Sequence, residues 1–290
     1  RLSIPLIGRK AKDFAKNAKK IVIDIDQNEL DKKTITSDFK INCSADVFIH
    51  SMIKYHIKLK SFNDWIENCK KVKKLLSFKK ENYLHNKKIN PYLFLKDLSS
   101  IIPDSSIIFM DGNTIMNYVM QSLDLKKNQR LLTASGLDND GFAIQASLGL
   151  SSYDSNKHIV VFSEESKLFS SLENFNKIIE NKIPIKIFVF SGIKNIALKN
   201  SQKDFFGARY VGTEDLSFNN FLINNQSYEK MGIDLIKINK LQYIGKLNKI
   251  FKNKKPTIIS VDVDPTHKIV PKMGFSINYA GNWQPKSLGD

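Results

Sequence analysis

Four stretches of this chain carry the side chains best suited to chemistry. They are Asp111-Gly112-Asn113-Thr114, the stretch 135–141 with Asp138-Asn139-Asp140-Gly141, Ser163-Glu164-Glu165-Ser166, and the stretch 191–195 that opens with Ser191-Gly192. Each follows a short apolar run and leads into a helical pattern, so each is expected where a strand gives way to a helix. Ligands of open α/β sheets sit there, outside the carboxyl ends of the strands and in front of helix N-termini. Asp111-Gly112-Asn113-Thr114 can present a hydroxyl and backbone amides to a phosphate. Structural roles are open for the others. Glu164 and Glu165 at a helix start gain from the helix dipole whatever they bind, and Asp138, Asn139 and Asp140 before Gly141 make a good N-cap and turn cluster.

Other residue types carry less. The five histidines (His50, His56, His85, His158, His267) show neither a metalloprotease spacing nor a triad pattern, and ordinary surface or core roles are expected. Cys43 and Cys69 lack metal-ligand spacing, and two thiols make no disulfide framework; reduced, buried thiols of a cytoplasmic protein are expected. The net charge of +16 invites a nucleic-acid reading, yet only four basic residues are arginines and the other 41 are lysines spread along the chain. Lysine is a solvated point charge without the arginine fork that reads bases and phosphates, so the excess suits solvated surfaces and no nucleic-acid partner is expected. No apolar run reaches membrane-spanning length, and Arg1–Gly8 reads as too short and too polar for a signal peptide. A chain of 290 residues with 42% hydrophobic residues can bury a full core, and a start at Arg1 is that expected of a piece of a longer chain.

The elements that must position these loops alternate. Lys20-Ile21-Val22-Ile23-Asp24-Ile25-Asp26 reads as a strand, 46–60 as a polar helix, and 61–76 as a helix with Trp65 and Ile66 on its apolar side. The stretch 77–88 has no apolar period. Beyond Asn90-Pro91 the order is helix 92–102, strand 106–110, helix 114–123, strand 130–133, helix 141–150, strand 158–162, helix 167–180 and strand 185–190. A helix over 218–231 ending at Gly232, a strand 234–238, a helix 241–251 and a strand 257–263 complete it. This alternation predicts an α/β fold with a parallel sheet and helices on both faces.

Several segments resemble the acetolactate-synthase-like family of thiamine-diphosphate (ThDP) enzymes. Ala18 to Asp26 with Glu29-Leu30 is similar to the end of that family's central domain, and Asn90-Pro91-Tyr92 to the opening of its pyrophosphate domain. Lys186-Ile187-Phe188-Val189-Phe190, followed by Gln202 to Gly207 and Arg209-Tyr210, resembles the strand and loop after its metal-binding element. Val261-Asp262-Val263-Asp264-Pro265 with Pro271-Lys272 is similar to its last strand and tail. The likeness runs over nearly the whole chain, with a weaker lean towards members of polysaccharide and nucleotide-sugar clusters. It implies that 1–76 is the end of a Rossmann-like central domain, 77–89 a linker and 90–290 the pyrophosphate-binding-type domain.

The resemblance implies ThDP and a magnesium ion bridging its diphosphate to hard oxygen ligands. It assigns the cofactor to Asp111, Gly112, Asn113, Thr114, Asp140, Gly141, Glu165 and Ser166, and the metal to Glu164, Ser191 and Gly192. The chain departs from the family there. Glu164-Glu165 stands where an Asp-Gly pair is usual, Ser191-Gly192 where two asparagines are, Asp140 at a methionine position and Gln145 at a proline position. The interval from Glu165 to Ser191 is kept while the ligands are not. The family's catalytic glutamate belongs to an upstream pyrimidine domain, so no residue here is assigned as catalytic and this chain alone is expected to be inactive. By resemblance FAD would belong to the upstream part, the partners would be a small-molecule substrate and a second copy in a dimer or tetramer, and the location is cytoplasmic. Two functions are expected: the cofactor-holding portion of an enzyme acting on 2-oxo acids or keto sugars, or a non-catalytic, cofactor-free subunit.

Overall fold

The computed structural model describes residues 2, 7, 11–55, 61–76, 88–134, 137, 141–154, 156–169, 171–193, 196–213, 230, 232–240, 245, 247–264, 267, 275–277 and 283–285. The chain divides into two units, Arg1–Lys73 and Lys74–Asp290. In the first, strands β1 (Ile21–Asp24) and β2 (Phe39–Asn42) pair in parallel, with Ile21 opposite Phe39. Between them lies helix α1 (Gln27–Asp31), which Asp26 caps by accepting from the Asn28 amide at 2.9 Å. Helix α2 (Ala45–Lys54) follows, and α3 (Asn63–Leu76) runs across the division. Trp65 and Ile66, expected on the apolar side of α3, are exposed, Trp65 by 69%. Periodicity predicts that a helix has an apolar face, not that anything covers it.

The second unit is a sandwich of one sheet between two helical layers, as the alternation predicts. Its strands are β3 (Ile107–Asp111), β4 (Arg130–Thr133), β5 (Ile159–Glu164), β6 (Lys186–Ser191), β7 (Asp234–Ile238) and β8 (Thr257–Asp262), in the order β4-β3-β5-β6-β8-β7 and all parallel. β3, β5, β6 and β8 are near-continuous apolar runs, as strands covered on both faces must be. One face carries Ile108, Met110, Val160, Phe162, Phe188, Phe190 and Val261 against helices α4 (Pro91–Ile101) and α5 (Asn113–Ser122). The other carries Phe109, Val161, Ile187 and Val189 against α6 (Phe142–Tyr153) and the region 165–180. The single helix expected over 167–180 is two, α7 (Glu165–Phe169) and α8 (Leu172–Glu180), with Ser171 between them at φ −118°.

Helix α9 (Ile196–Phe205) takes in Gln202 to Phe205, read from sequence as loop, and α10 (Leu247–Lys252) precedes β8. A short antiparallel pair, β9 (Phe275–Ile277) and β10 (Trp283–Pro285), was not expected. The expected helix over 218–231 lies outside the described residues except at Lys230, as do most of the stretch 135–140, residues 241–244 and 246, and 77–87 of the expected linker. Ile89, at the end of that linker, is buried and bridges Val263. No described helix is long and apolar enough to cross a membrane.

Candidate functional site

Strand alternation decides where each loop residue goes. On β5, Val160 and Phe162 face α4 and α5, so Glu164, two residues further, leaves the strand on that side. β3 and β5 are paired with Asp111 opposite Ser163. That register puts the end of β5 beside the turn that leads from β3 into α5. Glu164 Oε1 accepts from the amide of Thr114 at 2.7 Å and from that of Ile115 at 3.1 Å. These are among the first amides of α5, which have no carbonyl acceptor inside the helix. Met116 starts the regular ladder by donating to the Gly112 carbonyl at 3.0 Å. Glu164, at the end of its own strand, thus caps a helix fifty residues earlier, whereas a role at the start of the next helix was the simpler structural expectation.

The turn admits this carboxylate because residue 112 is glycine. Its φ is +114°, and a Cβ there would lie 2.6 Å from Glu164 Oε1 and 2.7 Å from Cγ and Cδ. Only a residue without a Cβ permits both the dihedral and the close approach. Asp111, Thr114, Glu164 and Glu165 are all buried, Glu164 being 6% exposed. Burial pushes the Glu164 carboxyl above the usual carboxylate range. The Ile115 and Thr114 amides and the Lys167 ammonium pull it back, and the Asp111 carboxylate adds to the rise.

The remaining sequence-predicted residues divide between this turn and other places. Asn113 is the first residue of α5. Gly141 is the residue before α6, at φ +82°, and Asp140 lies outside the described residues. Glu165 opens the five-residue α7, which includes Ser166. At the end of β6, the Ser191 hydroxyl donates to the Val261 carbonyl at 3.2 Å. Gly192 has φ +86°, and a Cβ there would lie 2.8 Å from the Val263 carbonyl. Thus Asp111, Gly112, Thr114 and Glu164 converge at the head of α5, while Ser191 and Gly192 turn to the backbone of β8 and its continuation. Among the described residues no group of three His, Cys, Asp or Glu side chains is arranged to hold a metal ion.

The sequence reading missed a polar group beside the same helix. The Tyr118 hydroxyl donates to the His267 carbonyl at 3.0 Å, and its ring meets that of Tyr92 edge-on at 4.9 Å. Burial raises the Tyr118 phenol well above its ordinary range, with Tyr92, Glu164 and Asp264 adding to the rise. The signal was available in part, since Tyr118 stands one turn after Thr114 on the same helix.

Over residues 112–261 the chain matches the family described as thiamine pyrophosphate enzyme, C-terminal TPP binding domain. The acetolactate synthase large subunit of Lactococcus lactis subsp. lactis (strain IL1403) is 24% identical over 257 residues, which cover 89% of this chain and 44% of that protein. The acetolactate synthase isozyme 2 large subunit of Escherichia coli (strain K12) is 21% identical over 266 residues, covering 90% and 46%. A probable acetolactate synthase large subunit of Methanococcus aeolicus is 23% identical over 274 residues, covering 88% and 44%. The chain spans less than half the length of these relatives.

Proposed function

Because this chain belongs to the thiamine pyrophosphate enzymes, matching their C-terminal TPP binding domain, we propose that it is a cofactor-free, non-catalytic counterpart of the acetolactate-synthase-like members. It keeps the scaffold of the pyrophosphate domain and serves a structural or interaction role in an assembly. One observation carries the proposal: Glu164 Oε1 lies 2.7 Å from the Thr114 amide and 3.1 Å from the Ile115 amide. Free amides at a helix start are what a diphosphate would need, and here they are taken.

The donor set disagrees with the cofactor in charge as well as in space. A diphosphate at the head of α5 would meet the buried carboxylates of Asp111 and Glu164. Two like unit charges about 4 Å apart repel by roughly 1 kcal/mol in water and about 4 kcal/mol at the effective dielectric of a protein surface. Magnesium would relieve this only with ligands to hold it. Ser191 directs its hydroxyl to Val261, and Gly192 has no side chain to give. The residues present do not fit magnesium and ThDP in the arrangement the resemblance implies, and no catalytic step follows from them.

A second reading has its own support. Both amide bonds fall on Oε1, which leaves Glu164 a second oxygen for a cation, and the Gly112 turn before α5 is intact. In that reading the chain is the cofactor-holding portion of an enzyme that makes or breaks a carbon–carbon bond beside the carbonyl of a 2-oxo acid or keto sugar. ThDP, when bound, supplies the electron sink. Magnesium, upstream FAD and assembly as a dimer or tetramer belong to the same reading. Turnover separates the two. The full product of the gene, supplied with ThDP, magnesium and FAD, is expected to release no carbon dioxide from pyruvate or 2-oxobutyrate. Saturable, ThDP-dependent release would establish the second reading.

A further inference from the structure

Resting on the cofactor-free reading, we propose that Glu164 is a built-in anion: its carboxylate holds the position a diphosphate would take at the head of α5, so the chain closes its own anion cradle. The disagreement between the family's cofactor and these residues is thereby a substitution of one anion for another. α5 has ten residues, and the dipole at its N-terminus favours a negative group. Glu164 supplies that group to two backbone donors at once, as one phosphate oxygen would.

Three features make the carboxylate a plug and not a passing contact. The alternation of β5 aims residue 164 at the α5 side of the sheet, and the pairing of Asp111 with Ser163 fixes its height. The side chain lies over Gly112 so closely that a Cβ there would meet its Cγ, Cδ and Oε1. The residue is 6% exposed, so a competing anion must displace it as well as bind. A tethered group has a high effective concentration at its site, which a ligand free in solution must outcompete.

Inorganic pyrophosphate is the probe, titrated calorimetrically into the 290-residue chain and two variants. Glu164→Ser frees the Thr114 and Ile115 amides and removes the charge, and is expected to bind pyrophosphate at least about tenfold more tightly than the wild type. Glu164→Gln removes the charge but keeps an oxygen at the same amides, and its gain is expected to be smaller than that of Glu164→Ser. A folded Glu164→Ser chain with no gain, or a Glu164→Gln chain with an equal gain, would overturn the proposal. Should Glu164→Ser not fold, amide exchange at Thr114 and Ile115 in the wild type decides: protection unchanged by millimolar pyrophosphate supports the plug, and protection that rises with pyrophosphate refutes it. ThDP binding by the wild type would remove the cofactor-free reading itself. No gain in Glu164→Ser would remove only the tethered anion and leave that reading standing.

Discussion

At the head of α5, Gly112 and the Glu164 side chain occupy adjoining space, and each limits what the other can be. Gly112→Ala would place a methyl 2.6 Å from Glu164 Oε1 on a backbone with φ +114°. Holding a non-glycine residue in such a conformation costs about 1–3 kcal/mol, and the carboxylate must also move. Urea unfolding is expected to register a loss of that size, and a loss below about 0.5 kcal/mol, the scale of a neutral surface change, would contradict the close packing. The place of Glu164 at the end of a strand was legible in the sequence from the apolar run before it, and its reading as an altered metal ligand is a proposal drawn from the resemblance. The destination of its side chain was not legible. Alternation with Val160 and Phe162 gives the face, but the helix start it meets depends on the β3–β5 register, which only the folded sheet supplies. Asp140 stays a proposal drawn from the resemblance, since its loop is outside the described residues.

At the scale of elements, the strands were legible because parallel strands buried on both faces read as apolar runs. β2 escaped because Phe39–Asn42 is only four residues long and mostly exposed, too short a run to stand out as a strand. α9 escaped because Lys199, Asn200, Gln202 and Lys203 mask its period. The start of β6 shows a different device. Lys186 is 3% exposed, and its ammonium donates to the carbonyls of Asn253 at 2.9 Å and Lys255 at 2.6 Å and to Thr257 Oγ1 at 3.0 Å. It ties β6 to the segment between α10 and β8. Burial lowers its pKa from 10.5 to about 8, with Asp234 opposing. Between about pH 8 and 10.5 the unfolded chain therefore holds a proton that the folded chain has released. This group makes stability rise with pH across that window and leaves it flat below. Lys186→Met is expected to abolish that rise and, by leaving the carbonyls without a donor, to cost about 1–3 kcal/mol at neutral pH. Equilibrium unfolding of both chains from pH 7 to 10.5 checks it, and parallel profiles would refute it.

Over the whole molecule, the second unit stands on the aromatic packing between α4 and the centre of its sheet. Phe94 meets Phe190 at 5.8 Å and Phe188 at 6.2 Å, and Phe162 completes the group at 5.6 Å from Phe188. Phe94→Ala is expected to cost about 3–5 kcal/mol in urea unfolding, and a cost near 1 kcal/mol would mean the layer closes over the gap. This layer was legible as helix 92–102 and its strands, because buried elements keep their apolar periodicity. Packing is dictated by volume and apolar area, which many sequences satisfy. Cofactor binding rests on a few oxygens and amides, and in the proposed reading those are the positions that depart. The scaffold and the site can therefore part company in one chain. Calorimetric titration of ThDP, with magnesium present, into the folded full product of the gene tests that separation most directly. No saturable heat is expected at ThDP concentrations up to millimolar. Magnesium-dependent binding in the micromolar range would contradict the cofactor-free reading, because the amides of Thr114 and Ile115 would then be open to a diphosphate.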